Sequence, residues 1–333
     1  MIRSALVLTI ALIMAHAAPG LAQELRLNAD VGKGEFFEGE PTYLLVRLQN
    51  VSTDTAWVTF FGLGSLPVTL SVIRGDGTPV PVHMPFVDWI APPTWRGDPI
   101  APGTSVLNTL VLQDLVGDQW PRRTHLFLNR LSPGQYTLHV EFAAHAGVPH
   151  TAPLQLRAAP ISFRIREGTA AEEAEVTELE RMRDMPWDTT SIESDARTAG
   201  YKDALLQWID RCFADRPDDP FLPFLLDYPV YGMGPGLMKL LEAGALPRFD
   251  PDTSEVVSRL RLEVIERQKL STGGTRLVQI LSARHPDQLA ALAKSLGSTP
   301  SGEMARYQVK VSQQLQHSRA ARRGARCDSD CPP

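Results

Sequence analysis

Up to about residue 167 apolar and polar residues alternate along the chain, and beyond it the apolar positions fall three and four apart. ELRLNADV places Leu25, Leu27, Ala29 and Val31 on one side of an extended backbone, the period a strand imposes. YLLVRLQN, AWVTFF, VTLSVI, VLNTLVL, YTLHVEF and ISFRIRE follow, with Gly, Pro, Asn and Asp clusters between them. Short strands with turn signals between them predict an antiparallel β-sandwich. In VTLSVIRGDGTPVPVHM, Leu70 and Val72 face Val80 and Val82 across a hairpin whose Asp76-Gly77 is expected to supply positive φ angles. The tripeptide Arg74-Gly75-Asp76 is an adhesion peptide in other extracellular proteins, and it recurs at Arg96-Gly97-Asp98. Here it reads first as turn chemistry.

After Gly168 the period is helical. Thr169 precedes a run with Glu172 and Glu173 in its first turn, where the helix dipole favours acids. Tyr201, Ala204, Leu205, Trp208, Ile209, Cys212 and Phe213 make one apolar stripe. Further helices are expected over 221–227, 236–242, 252–270, 275–283, 286–296 and 301–320, joined by short Gly- and Pro-containing links. Antiparallel neighbours follow, as a helical bundle or helical-pair array. The expected organisation is a leader over 1–22, a β-sandwich domain over 23–167, an all-α domain over 168–317 and a flexible basic tail over 318–333.

One local pattern refines the first half. Leu131-Ser132-Pro133-Gly134-Gln135-Tyr136 runs straight into TLHVEF, and GEPTYLLVRLQN opens an apolar strand from a tight turn. Both stretches resemble bacterial Ig-like and fibronectin-like sandwich modules, the first as a tyrosine corner. The resemblance covers the N-terminal half and implies architecture alone. The paired cysteines and packed tryptophan of antibody domains have no counterpart here.

Composition sets further limits. The leader MIRSALVLTIALIMAHAAPGLAQ has one basic residue, an apolar run from Ala5 to Met14 and small residues ending at Ala22. It reads as a secretory signal peptide cleaved after Ala22, which makes the protein periplasmic or extracellular. Its apolar run falls short of the roughly 20 residues a bilayer span needs. The net charge of −5 offers no basic face for phosphate contacts, so no nucleic-acid partner is expected. With three cysteines, Cys212, Cys327 and Cys331, no disulfide framework is implied.

Candidate chemistry is sparse. His139 and Glu141 share a strand face and His145 and His150 follow, a weak metal set that reads first as an exposed polar face. Cys212 lies on an apolar stripe, where burial favours the neutral thiol over a nucleophile. Glu35, Glu38 and Glu40 are close together, but EFFEGEP reads as a strand-end turn rather than a glycosidase pair. Neither a serine elbow nor a phosphate loop is present. The 82–103 stretch is too long for a plain connection and carries Phe86, Trp89 and Trp95, aromatics suited to a binding loop. Tyr228 and Tyr231, in DYPVYGMGPG, offer a second such surface. The resulting expectation is a non-catalytic binding or scaffolding protein with a protein or cell-envelope partner and no cofactor. Two alternatives remain: a hydrolase assembled between the domains from His139, Glu141, His145, Tyr228 and Tyr231, or a protease inhibitor presenting the 82–103 loop.

Overall fold

The structure is a computed structural model. It describes residues 25–58, 68–82, 98–116, 130–146, 152–183, 218–231, 251–281 and 286–313, with 207, 211 and 214–216. Strands come first: β1 Leu25–Asp30, β2 Glu35–Phe37, β3 Tyr43–Asn50, β4 Ala56–Val58, β5 Val68–Arg74, β6 Pro79–Val80, β7 Asp98–Ile100, β8 Ser105–Val111, β9 Gly134–Ala146, β10 Ala152–Arg157 and β11 Ile161–Arg166. Helices follow: α1 Ala170–Arg183, α2 Phe221–Tyr231, α3 Pro251–Arg267, α4 Thr272–Leu281, α5 Pro286–Ser295 and α6 over 300–313. None of the described helices is long and apolar enough to cross a membrane.

The strands form two sheets. One is antiparallel, in the order β1-β3-β8; the other runs β2-β11-β9-β4-β7, with β5 and β10 also paired to β9 and β6 to β5. Within the second sheet β2 lies parallel to β11, and the remaining pairs are antiparallel. The strands β10 and β11 continue one another along β9, with Arg157 opposite Glu141 and Ile161 opposite Leu138. Three residues, 158–160, therefore face two, and Pro160 lies in this bulge, where no ladder bond is asked of it.

Alternation along β3 explains how the layers stack. Leu44, Val46 and Leu48 enter a cluster with Leu70, Leu138, Val140 and Phe142 of the larger sheet. Tyr43 and Leu45 point the other way, into a second cluster with Phe221, Leu222, Leu225, Leu277 and Val278 of the helices. The smaller sheet is thus covered on both faces, and a strand buried on both faces reads as a continuous apolar run, here YLLV.

Local signals fix the element ends. The Thr169 Oγ1 accepts the Glu172 N–H at 3.4 Å while the Glu172 carboxylate accepts the Thr169 N–H at 2.7 Å, a capping box. Asp219 caps α2 through the Phe221 N–H at 2.8 Å, and Ser271 caps α4 through the Gly274 N–H at 2.9 Å. Buried Tyr136 donates its hydroxyl to the Ser132 carbonyl at 2.6 Å, the corner bond that a tyrosine at the start of a strand predicts. The β5–β6 hairpin forms in the expected register, Val72 opposite Val80. Its turn differs in one respect: Gly77 alone carries positive φ, at 87°, and Asp76 does not. The Arg74 carbonyl accepts the Gly77 N–H and the Arg74 N–H donates to Thr78, each at 2.8 Å, so a wider turn with a glycine bulge relieves Asp76 of that conformation.

Candidate functional site

The most heavily buried ionisable chemistry among the described residues lies where the sheets meet the helices. It begins with the turn between β2 and β3. Gly39 takes φ 86°, which reverses the chain and brings Phe37 against Phe221 of α2, their ring centroids 5.9 Å apart. The Gly39 Cα sits against Val176 of α1; a Cβ there would lie 2.9 Å from both valine methyls. The Glu40 carboxylate, 1% exposed, closes the turn by accepting the Phe37 N–H at 3.1 Å. Its other oxygen lies 2.5 Å from the Lys33 ammonium. Burial raises the Glu40 pKa above its ordinary value, and Lys33 opposes that rise. Behind it, the Gln113 side chain donates to the Glu40 carbonyl and accepts the Thr42 N–H at 2.7 Å. One carboxylate oxygen is thus held by the Phe37 N–H and the other faces the Lys33 ammonium, which ties Glu40 to its own turn.

A second contact joins α4 to the edge of the smaller sheet. The Thr109 N–H donates to Gln279 Oε1 at 2.7 Å, and its carbonyl accepts Arg276 Nη1 at 2.9 Å. The Gln279 amide also donates to Asn108 Oδ1 at 2.8 Å. Nearby, Arg47 of β3 pairs with Glu303 of α6.

Charged pairs rim this junction. Arg166 grips Glu172 with two bonds, at 2.8 and 2.6 Å, and lies over the Phe37 ring. That guanidinium holds the Glu172 carboxyl down at about 2. Arg216 bridges Glu175 of α1 and the buried Asp219 ahead of α2. Burial, reinforced by the Asp219 charge, pushes the Glu175 pKa up. The first pair ties α1 to β11, and the second set ties α1 to the approach to α2.

The residues singled out from the sequence are distributed differently. His139 and Glu141 alternate with the core residues Leu138, Val140 and Phe142, so they leave the larger sheet on its outer face. Glu141 pairs there with Arg157, its cross-strand neighbour, at 2.9 Å. His145 occupies a backbone position opposite Pro153, and Tyr228 and Tyr231 lie in the last turns of α2; the side chains of all three lie outside the described residues. Phe86, Trp89, Trp95, the leader, the three cysteines, the 201–213 stripe and the basic tail also lie outside them. Among the described residues no group of three or more His, Cys, Asp or Glu is placed to hold a metal ion. In the first RGD copy, Arg74 turns its guanidinium onto the Pro133 carbonyl at 3.2 Å, and the Gly75 N–H is tied to Gln135 at 2.7 Å.

Glu40 was legible only as part of a turn. Arg276 and Gln279 had a weaker signal, two polar residues one turn apart on a helix otherwise lined with Leu277, Val278 and Ile280.

No family model matches this chain, and no curated protein does. Among solved structures, Spo0M, a sporulation control protein from Bacillus subtilis, is similar over 48% of this chain and 56% of its own, at 12% identity and TM-score 0.23. A chain described as pT26-6p is similar over 87% of this chain and 48% of its own, at 9% identity and TM-score 0.20. The chain thus spans about half the length of either structure. What stands from the structure itself is a protein of β-sheets followed by helices.

Proposed function

We propose that this is an exported binding or scaffolding protein whose first half is an Ig-like sandwich and whose helices brace it. The strand order supports the Ig-like reading. In that reading the β1-β3-β8 sheet takes the part of strands A, B and E, and β5, β9 and β11 that of C, F and G, with the Tyr136–Ser132 bond as its tyrosine corner. Export rests on the leader sequence and its Ala22 cleavage signal.

The observation that carries the binding reading is how the aromatic segment is anchored. Before it, Val82 bridges to Val116; after it, Asp98–Ile100 pairs with β4. Exposed Trp57 lies opposite Pro99 at the point of return. A segment bearing Phe86, Trp89 and Trp95 that starts beside the Val82–Val116 bridge and ends on the sheet at β7 supports a loop-borne recognition surface, the kind that sandwich folds carry. The ligand class is a protein or another component of the cell envelope.

A photo-crosslinker at position 57, in protein exported by its own host, tests this. One discrete adduct is expected, and its yield should fall about tenfold when Trp89 and Trp95 are both alanine, as loss of a hot-spot aromatic implies. Adducts that are diffuse, or unchanged by those substitutions in a folded protein, would refute the reading.

A further inference from the structure

One edge of the smaller sheet is β8, whose strand partner among the described residues is β3. The Asn50 N–H donates to the Thr104 carbonyl, which sets the alternation. Even-numbered residues of β8 turn their backbone groups towards β3; Ser105, Leu107, Thr109 and Val111 turn theirs away. Outward N–H and C=O groups on an edge strand are a template for another chain. At Thr109 both are taken by side chains: Gln279 accepts the N–H and Arg276 donates to the C=O. These residues are three apart on α4 and so share a face. One supplies an acceptor and the other a donor, as the backbone of a neighbouring strand would. The Gln279 amide completes the match by bonding Asn108.

The strand being covered is itself prone to pairing. SVLNTLV carries no charge, no proline and no glycine, and includes Val106, Thr109 and Val111, all β-branched. Two copies of such an edge can meet antiparallel about a two-fold axis, each offering the other the same groups. Meanwhile the helix layer has its own hold on the sheet face, through Leu277, Val278, Ile280 and Leu281. Withdrawing two polar side chains therefore opens the edge without removing the helices.

We propose that Arg276 and Gln279 form a strand-mimicking edge guard, and that the partner they exclude is a second copy of this chain paired β8 to β8. The device is built into the fold and is independent of whatever the aromatic segment binds.

The test compares the full chain with Arg276→Ala/Gln279→Ala by sedimentation velocity over a range of concentrations. A species of twice the wild-type mass should appear with rising concentration. Adding Thr109→Pro, which removes the outward N–H, should abolish it. If the alanine pair is poorly folded, Arg276→Met/Gln279→Met keeps the apolar stems without the donor and acceptor and is read in the same way. Hydrogen exchange on the wild type provides a check that needs no variant: the Thr109 amide should be as protected as those of the inner strand β3. A folded variant that keeps the wild-type mass at every concentration, or a Thr109 amide that exchanges freely in the wild type, overturns the proposal.

Discussion

The turns at 37–40 and 74–78 are made of the same parts and do different work. Each has one glycine in the left-handed region, Gly39 at φ 86° and Gly77 at φ 87°. Each uses a carboxylate to accept a nearby backbone N–H, Glu40 from Phe37 at 3.1 Å and Asp76 from Thr78 at 2.9 Å. What differs is the cover. The first turn lies under α1 and α2, with Gly39 against Val176 and Phe37 against Phe221; the second is open, and a Cβ at Gly77 would meet nothing within 4 Å. The two carboxyls respond in opposite directions. Burial raises that of Glu40, whereas hydrogen bonds from Thr78 lower that of exposed Asp76. An exposed turn reverses the chain and little else. The buried one also seats a helix layer, and its charge bears a desolvation cost for doing so.

Truncation gives the comparison its widest separation. Phe37→Ala removes a buried ring from the helix-facing cluster and should cost about 3–5 kcal/mol. Arg74→Ala loses one bond to Pro133, and its cost should be about 1 kcal/mol. Denaturation midpoints on both variants measure this; near-equal costs would mean that the first turn does not seat the helices. The glycines give a smaller contrast. Gly39→Ala combines left-handed strain with a clash against Val176, about 3 kcal/mol in all. Gly77→Ala meets the strain alone, about 1 kcal/mol. If the two alanines cost the same, Val176 gives way freely and the close approach is not a constraint.

The two turns were unequally legible in the sequence. GDG between Val72 and Val80 is a local signal, and the hairpin register followed from it; the φ of Asp76 did not, because Gly77 alone satisfies the geometry once the turn widens. EFFEGEP also read as a turn, but its burial depends on Val176 and Phe221, far along the chain. The same holds for the edge guard, since Arg276 lies 167 residues from Thr109. Tyr136 was readable because its partner, Ser132, is four residues away. Strand β10 went unread although Leu154 and Leu156 alternate, because Pro153 and Pro160 argue against a strand until the bulge at 158–160 places Pro160 off the ladder. Local patterns thus yielded elements and caps. The stacking of three layers depends on which of two buried faces meets which partner, and YLLV reads alike in either direction.

The smallest expected effect separates the turns by sign. The native state raises the Glu40 pKa, so it binds that proton more tightly than the unfolded chain, where the value is 4.5. The stabilisation from this proton is complete below 4.5 and is lost as pH rises through the higher native value. Wild type should therefore lose ground to Glu40→Gln on going from acid to neutral pH. Asp76 behaves oppositely, because its native pKa lies below the unfolded 3.8. Its contribution is present above 3.8 and is lost as pH falls through the lower native value, so wild type should gain on Asp76→Asn over the same interval. Thermal midpoints of the three proteins, taken between pH 3 and pH 7 at about 0.1 M salt to limit longer-range charge effects, give two difference curves of opposite slope. A flat Glu40 curve would mean that Lys33 fully offsets the burial of Glu40, and that the cover over the first turn leaves its charge no worse placed than one in water.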